Sequence, residues 1–313
     1  MELRQLRYLI AVADAGSITS AARKLHVVQS AVSHQIRILE EGIDAKIFDR
    51  SKSGVKLTSE GQILYRHALA VIKHVEAAAQ EVKHCDKEIR GKVSVGIPHS
   101  TAAVLAIHLL KAVREQLPHV EIAIHEGLSG LLGEQLATGR LDFSILFDTE
   151  VRRGFKSTPL VAERLHFVSS DLKMRHEYTR LGKISFREVI LRPLILPPQP
   201  NGIRVLLEKE ALRANLRSNV IADITGVETM LAAVKEGLAD TVMMAANAPL
   251  KSRAGKLLVV PMDDPVIERH ASLFEPAQFP LTKAAASVRD ITLQLVKDLV
   301  LREVWLGARL LEA

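Results

Sequence analysis

The chain has 313 residues, a formal charge of +6, 48% hydrophobic and 25% charged residues, the balance of a soluble globular protein with two or three domains. Only 4% of residues are aromatic, which argues against base-stacking platforms, and the single cysteine, Cys85, excludes an intramolecular disulfide and cysteine-rich zinc sites. The mild positive excess has the sign of a phosphate-binding protein but decides nothing alone. No run approaches about 18 uninterrupted apolar residues, and the first segment lacks the apolar core of a signal peptide, so a cytoplasmic protein with no membrane span is expected.

Residues 1–58 carry helical patterns with short breaks. Leu3, Leu6, Leu9, Ile10 and Ala13 lie at helical spacing, and Gly16 stops that helix. Ser17 caps the next, which turns Ala21, Ala22 and Leu25 inward. After the tight connection His26-Val27-Val28, a third helix runs from about Gln29 to Glu41 and ends at Gly42. At about 100° per residue, Val32, Ile36 and Leu39 share one face while Ser30, Ser33, His34 and Arg37 fall opposite. That polar face is either solvated surface or a surface laid in a DNA groove.

Thr58 or Ser59 caps a long helix. Along it, Leu64, Ala68, Val71, Val75, Ala78, Val82, Cys85 and Ile89 form a heptad seam. A stripe this narrow belongs to a core helix or to a helix that pairs with a second subunit. The polar flanks Lys73, His74, Glu76, Gln80, Glu81 and Lys83 favour pairing.

Arg90-Gly91-Lys92 breaks the pattern. Strand and helix then alternate: strand 93–97, helix 101–116, strand 120–126, helix 129–137, strand 141–147. This is the β-α-β-α-β order of an open, mostly parallel sheet. A second set follows, with strands at 165–169, 193–196, 220–224 and 241–244 and helices near 203–215 and 227–235. A terminal helix covers about 282–304. Two α/β halves on one chain enclose a cleft near strand C-terminal ends.

The string SITSAARKLHVVQSAVSHQIRILE resembles the helix-turn-helix of LysR-type transcriptional regulators, through Ser17, the small pair Ala21-Ala22, Leu25, then Gln29, Ala31, Ser33 and Leu39-Glu40. IFDRSKSGVKLTSEG resembles the family's wing and linker start. Phe48 and Arg50 match, Lys52-Ser53-Gly54 turns the hairpin, and Leu57-Thr58 with Gly61 opens the long helix. Two places depart from the pattern: Ser30 stands where the family usually has Pro, and Ile43-Asp44 where it has Leu-Gly. RGKVSVGIPHSTAA and the spacing of LPHVEI resemble the nitrogen-assimilation-control subgroup.

The resemblance implies an N-terminal all-α winged helix-turn-helix (1–58), a linker and dimerisation helix (59–90), and an α/β two-subdomain effector domain (91–313) like a periplasmic binding protein. Its subdomains would be about 93–163 with 269–313, and 164–268. Gln29, Ser33, His34 and Arg37 are then candidates for base or groove contact, and Thr19 and Ser30 for phosphate contact. Arg50, Lys52 and Lys56 on the wing would reach the backbone or minor groove. By family position Ser100 and Thr101 are candidate effector contacts at a helix N-terminus suited to anions. Ser129, Phe147, Asn201 and Thr225 would complete the cleft. In the strand that follows Gly237-Leu238-Ala239-Asp240, the family's Gly-x-Gly and terminal Pro are replaced.

Implied partners are double-stranded DNA, RNA polymerase and further copies of the chain, as a dimer and a tetramer. No cofactor is expected. The effector would be a small anion, unless the cleft is vestigial and the regulator acts without a ligand. An enzyme is the alternative of another class, but Gly-x-Ser-x-Gly, His-Glu-x-x-His and a Gly-x-Gly-x-x-Gly after a strand are all missing. A solute-binding protein would not carry a winged helix in front.

Overall fold

The computed structural model describes residues 1–51, 54–84, 88–147, 154–248 and 257–312. Lys52, Ser53 and Cys85, read above into the wing turn and the seam, lie outside them, as do the side chains of Gln80, Glu81 and Lys83.

Helix α1 (Leu3–Ala15) ends where Gly16 turns left-handed at φ 60°. Helix α2 (Ile18–Lys24) is capped by the Ser17 hydroxyl, which accepts from the Ser20 N–H. Helix α3 (Gln29–Ile43) runs past the expected stop at Gly42. Its end is Asp44, at φ 51°, a residue type that tolerates this conformation better than most. Val32, Ile36 and Leu39 are buried against Leu6, Leu9, Val12, Ala21 and Ala22.

The wing is a hairpin of β1 (Phe48–Ser51) and β2 (Gly54–Leu57), with Phe48 opposite Leu57. Two hydrogen-bonded anchors hold it. The Glu40 carboxylate accepts from the N–H groups of Ile47 (2.9 Å) and Phe48 (3.3 Å). The Val55 N–H donates to the Gly16 carbonyl at 2.9 Å, so the stop of α1 also seats the wing.

Helix α4 (Ser59–His84) begins at Thr58, whose hydroxyl accepts from the Gly61 N–H at 2.9 Å and donates to the Lys46 carbonyl at 2.7 Å. A Cβ on Gly61 would lie 2.1 Å from the Ile47 carbonyl oxygen. That atom is backbone already engaged by the wing, so it cannot move aside cheaply. Gly61→Ala is therefore expected to cost about 1–3 kcal/mol of stability, in the manner of an overpacked core. Denaturant unfolding measures this, and an unchanged midpoint would contradict it.

The first turns of α4 pack on α1, with Leu64, Ala68 and Ile72 joining that core. Farther along, Val71, Val75, Ala78 and Val82 are exposed. Leu64, Ala68 and Ile89 are corrections to the seam: the first two belong to the α1 core, and Ile89 packs against the core of the following domain.

Next come β3 (Gly91–Pro98), α5 (His99–Gln116), β4 (Val120–Gly127), α6 (Ser129–Ala137) and β5 (Phe143–Phe147). The three strands are parallel in the order β4-β3-β5. The expected parallel sheet stops there. Strand β6 (Phe155–Ser169) is three times the length read from sequence, since only its last part, 165–169, was expected.

After it follow α7 (Leu172–Leu181), β7 (Ile184–Ser185), α8 (Phe186–Leu191), β8 (Leu194–Leu196), α9 (Gly202–Arg213), β9 (Val220–Asp223), α10 (Val227–Lys235) and β10 (Thr241–Met244). The chain closes with β11 (Leu258–Asp263), β12 (Glu268–Pro276), α11 (Lys283–Leu301) and β13 (Ala308–Leu310). β12 pairs antiparallel with both β5 and the first part of β6, whereas β10 and β11 pair antiparallel with the end of β6.

β6 thus passes from one hydrophobic core into another. Val161 packs with Val95, Leu105, Phe143, Leu273 and Val288 in the first. Leu165 and Phe167 pack with Phe186, Leu207, Val242 and Met262 in the second. Among the described residues, no helix is long and apolar enough to cross a membrane.

Candidate nucleic-acid interface and ligand cleft

On α3, Gln29, Ser30, His34 and Arg37 are exposed and Ser33 is half-buried, while the opposite face is core. The Arg37 guanidinium lies 3.2 Å from His34 Nδ1 and 3.3 Å from the Glu41 carboxylate. Exposed pairs of this kind are weak, so a stronger acceptor can take the guanidinium. Thr19 is exposed on the first turn of α2. Arg50 and Lys56 are exposed on the two strands of the wing. Lys52 lies outside the described residues.

A junction ties this unit to the first core of the α/β region. The Asp14 carboxylate accepts from the Tyr65 hydroxyl (2.7 Å) and from Arg140 (3.1 Å). Burial, followed by the Asp14 acceptor, pushes the Tyr65 hydroxyl above the usual tyrosine range. Lys73 of α4 pairs with one oxygen of the buried Asp142 at 2.9 Å, and the other oxygen accepts from the Ser94 N–H at 2.8 Å. Sequence reasoning gave a role only to Lys73, as a polar flank of the α4 seam; that is a correction, since Lys73 turns instead to Asp142 across the junction. A lone aspartate or lysine reads as surface until its partner is known.

Around Ser100, the structure gathers some of the residues expected to line the cleft. The Ser129 hydroxyl accepts from the Phe147 N–H at 3.2 Å. The Ser100 hydroxyl accepts from Arg269 at 2.7 Å, and its carbonyl accepts from Asn247 at 3.1 Å. The Arg269 guanidinium stacks 3.5 Å from the centre of the Phe147 ring. Thr101 is fully buried, and its hydroxyl has no hydrogen-bond partner among the described residues. Asn201 caps α9 by accepting from the Ile203 N–H at 3.0 Å, and Thr225 is exposed before α10. No hydrogen bond joins either to the Ser100 group among the described residues.

Behind Ser100 lies a pair that sequence reasoning missed. Arg269 of β12 is 5% exposed and Glu163 of β6 is 2% exposed, with Nε–Oε2 at 2.7 Å. Trp305 donates its indole N–H to the other Glu163 oxygen at 2.8 Å. The pair stands near the point where β6 passes between the two cores.

Residues 3–62 match the family profile described as "Bacterial regulatory helix-turn-helix protein, lysR family", and residues 86–297 match "LysR substrate binding domain". The chain belongs to the LysR family of transcriptional regulators. This LysR-type regulator is 30% identical over 298 residues to the nitrogen assimilation regulatory protein nac of Klebsiella aerogenes, covering 95% of each chain. It is 28% identical over 304 residues to the protein of the same description in Escherichia coli strain K12, covering 97% and 98% of the two.

Among solved structures, its fold is similar to a full-length OxyR variant from Pseudomonas aeruginosa, with a TM-score of 0.76 at 23% identity over 100% of this chain and 99% of that one. It is also similar to full-length CbnR complexed with target DNA, with a TM-score of 0.59 at 19% identity over 95% and 100%. The helix-turn-helix is thus a DNA-binding unit, and the α/β region carries the family's substrate-binding fold.

Proposed function

We propose that this regulator lays α3 in the major groove of a promoter site, with Gln29, Ser33, His34 and Arg37 toward base edges and Thr19 and Ser30 toward phosphates. Arg50, Lys52 and Lys56 hold the adjoining backbone or minor groove. The observation that carries this reading is the division of α3 into a buried apolar face and an exposed face of hydrogen-bonding groups. The units of action are 1–58 for DNA, 59–90 for pairing and 91–313 for the effector. The last divides into subdomains of about 93–163 with 269–313, and 164–268.

Two chains pair through the exposed stripe Val71, Val75, Ala78 and Val82 on α4. They present two recognition helices to a pseudo-palindrome, and dimers join into tetramers that contact RNA polymerase. The reading is of a cytoplasmic regulator without catalytic activity. In it, a small anion enters the cleft beside Ser100, Thr101, Ser129 and Phe147 from one wall and Asn201 and Thr225 from the other. It acts by binding one subdomain arrangement better than another. The relatives' names point to nitrogen metabolism as the field of control.

A second reading has its own observation. Arg269 already hydrogen-bonds Ser100 and stacks on Phe147. The cleft would then be closed by the chain's own guanidinium, and the regulator would act without a ligand.

Footprinting of the chain's own upstream region, with and without small anionic metabolites, tests both. The first reading expects a pseudo-palindromic footprint that changes with one of them. A footprint unchanged by all supports the second, and no protection of promoter DNA overturns both. Val75→Asp is expected to yield a smaller assembly than the native one in sedimentation and to weaken operator binding by about tenfold or more, because the two recognition helices are then no longer paired. A variant that still sediments as the native assembly would contradict pairing through α4.

A further inference from the structure

Helix α4 uses its circumference in three ways. At about 100° per residue, Tyr65, Ala68 and Ile72 face α1, and Val71, Val75, Ala78 and Val82 form the exposed stripe. Arg66, Ala70, Lys73 and His74 occupy a third face, about 120° from the stripe. This third face borders a shallow groove, half open to solvent, between α4 and the domain that follows it.

Its far wall is apolar, built from Leu136, Leu141, Phe155, Phe279 and Leu281. Among the described residues that line it, the charges do not cancel. Lys73 and Asp142 neutralise each other at 2.9 Å, and the other Asp142 oxygen is taken by the Ser94 N–H. His74 Nε2 lies 2.9 Å from the Pro280 carbonyl. Arg66 is half-buried at the rim and makes no ion pair among the described residues. An apolar wall facing one uncompensated guanidinium is complementary to a small amphipathic monoanion.

We propose that this groove is a second ligand site, separate from the Ser100 cleft, for a compact ring or branched apolar body bearing one carboxylate or sulfonate. The anionic group pairs with Arg66 and the apolar body covers Ala70 against the Phe155–Phe279 wall. The occupant touches both α4 and the regulatory core beside the Lys73–Asp142 tether. It therefore binds one disposition of the linker helix better than another and biases that disposition.

The test uses the full-length protein and two fluorescent probes with the same ring system: 1-anilinonaphthalene-8-sulfonate, a monoanion, and N-phenyl-1-naphthylamine, which is neutral. The proposal expects one saturable site per chain for both. Ala70→Trp fills the groove from a helical position and should abolish this site for both probes. Arg66→Gln should weaken the anionic probe by about tenfold and leave the neutral probe within about twofold. Circular dichroism and unchanged DNA affinity establish that both variants are folded. Absence of saturable binding, binding unaffected by Ala70→Trp, or equal weakening of the two probes by Arg66→Gln would each overturn it. None of these results bears on the Ser100 cleft, which contains neither residue.

Discussion

Replacing Arg37 with alanine should weaken binding to the operator by roughly tenfold to a hundredfold while changing binding to unrelated duplex DNA by no more than about threefold. The expectation follows from where the guanidinium stands. It is on the exposed face of α3, held by His34 at 3.2 Å and Glu41 at 3.3 Å, and such solvent-exposed contacts are readily exchanged. A guanine edge offers two aligned acceptors that a guanidinium matches in a bidentate way. Lys56→Ala gives the contrast. A backbone contact carries no sequence information, so this change should weaken both DNAs alike and lower the salt slope by about one. Fluorescence anisotropy at several salt concentrations reads both quantities. Equal losses on both DNAs for Arg37→Ala would move Arg37 to the backbone and leave base reading to Gln29 and Ser33.

Glu163→Gln should be the most damaging single change in the regulatory region, with an expected loss of about 3–5 kcal/mol. Glutamine keeps a carbonyl for the Trp305 indole N–H but removes the charge beside Arg269. That guanidinium is 5% exposed, and water cannot replace its partner without opening the sheet. Removing both charges is expected to be milder. Arg269→Met in the Glu163→Gln background takes away the buried cation as well, and the double variant should recover part of the loss. Denaturant titration of the four proteins in this cycle gives the coupling directly. A Glu163→Gln protein as stable as the native one would mean that the pair contributes little. The same cycle bears on the cleft, because Arg269 also donates to Ser100 at 2.7 Å.

The recognition unit was legible because its determinants are local. Caps, a left-handed glycine and a repeating apolar face lie within a few residues of one another, so Gly16, Ser17 and the Val32-Ile36-Leu39 face could be read in order. The same holds for α6, α10 and β10, whose expected limits match the observed ones. The exposed stripe on α4 was legible for the same reason only in its middle, Val71, Val75, Ala78 and Val82; its first expected members, Leu64 and Ala68, and its last, Ile89, belong to other cores. Helices α7 and α8 were not read. α8 is only six residues long, and a few residues carry too little periodicity to stand out.

Strand β6 shows the other limit. Its burial alternates in places and is continuous in others, because different parts of it face different neighbours. It also contains Pro159, Glu163 and Arg164, residues that argue against a central strand when read alone. Glu163 is acceptable there only because Arg269, 106 residues away, neutralises it. Asp142 is likewise buried only because Lys73 reaches it across the junction.

By itself, then, the sequence determined the helix-turn-helix, its wing and the apolar stripe on the linker helix, since hydrophobic periodicity and capping act over one or two turns. The tertiary structure alone decided which charges lie inside, how Arg269 closes on Ser100, and that the linker helix leaves a groove against the regulatory core. Those outcomes depend on pairing between distant segments, and a charged residue's burial is set by a partner that local sequence does not contain.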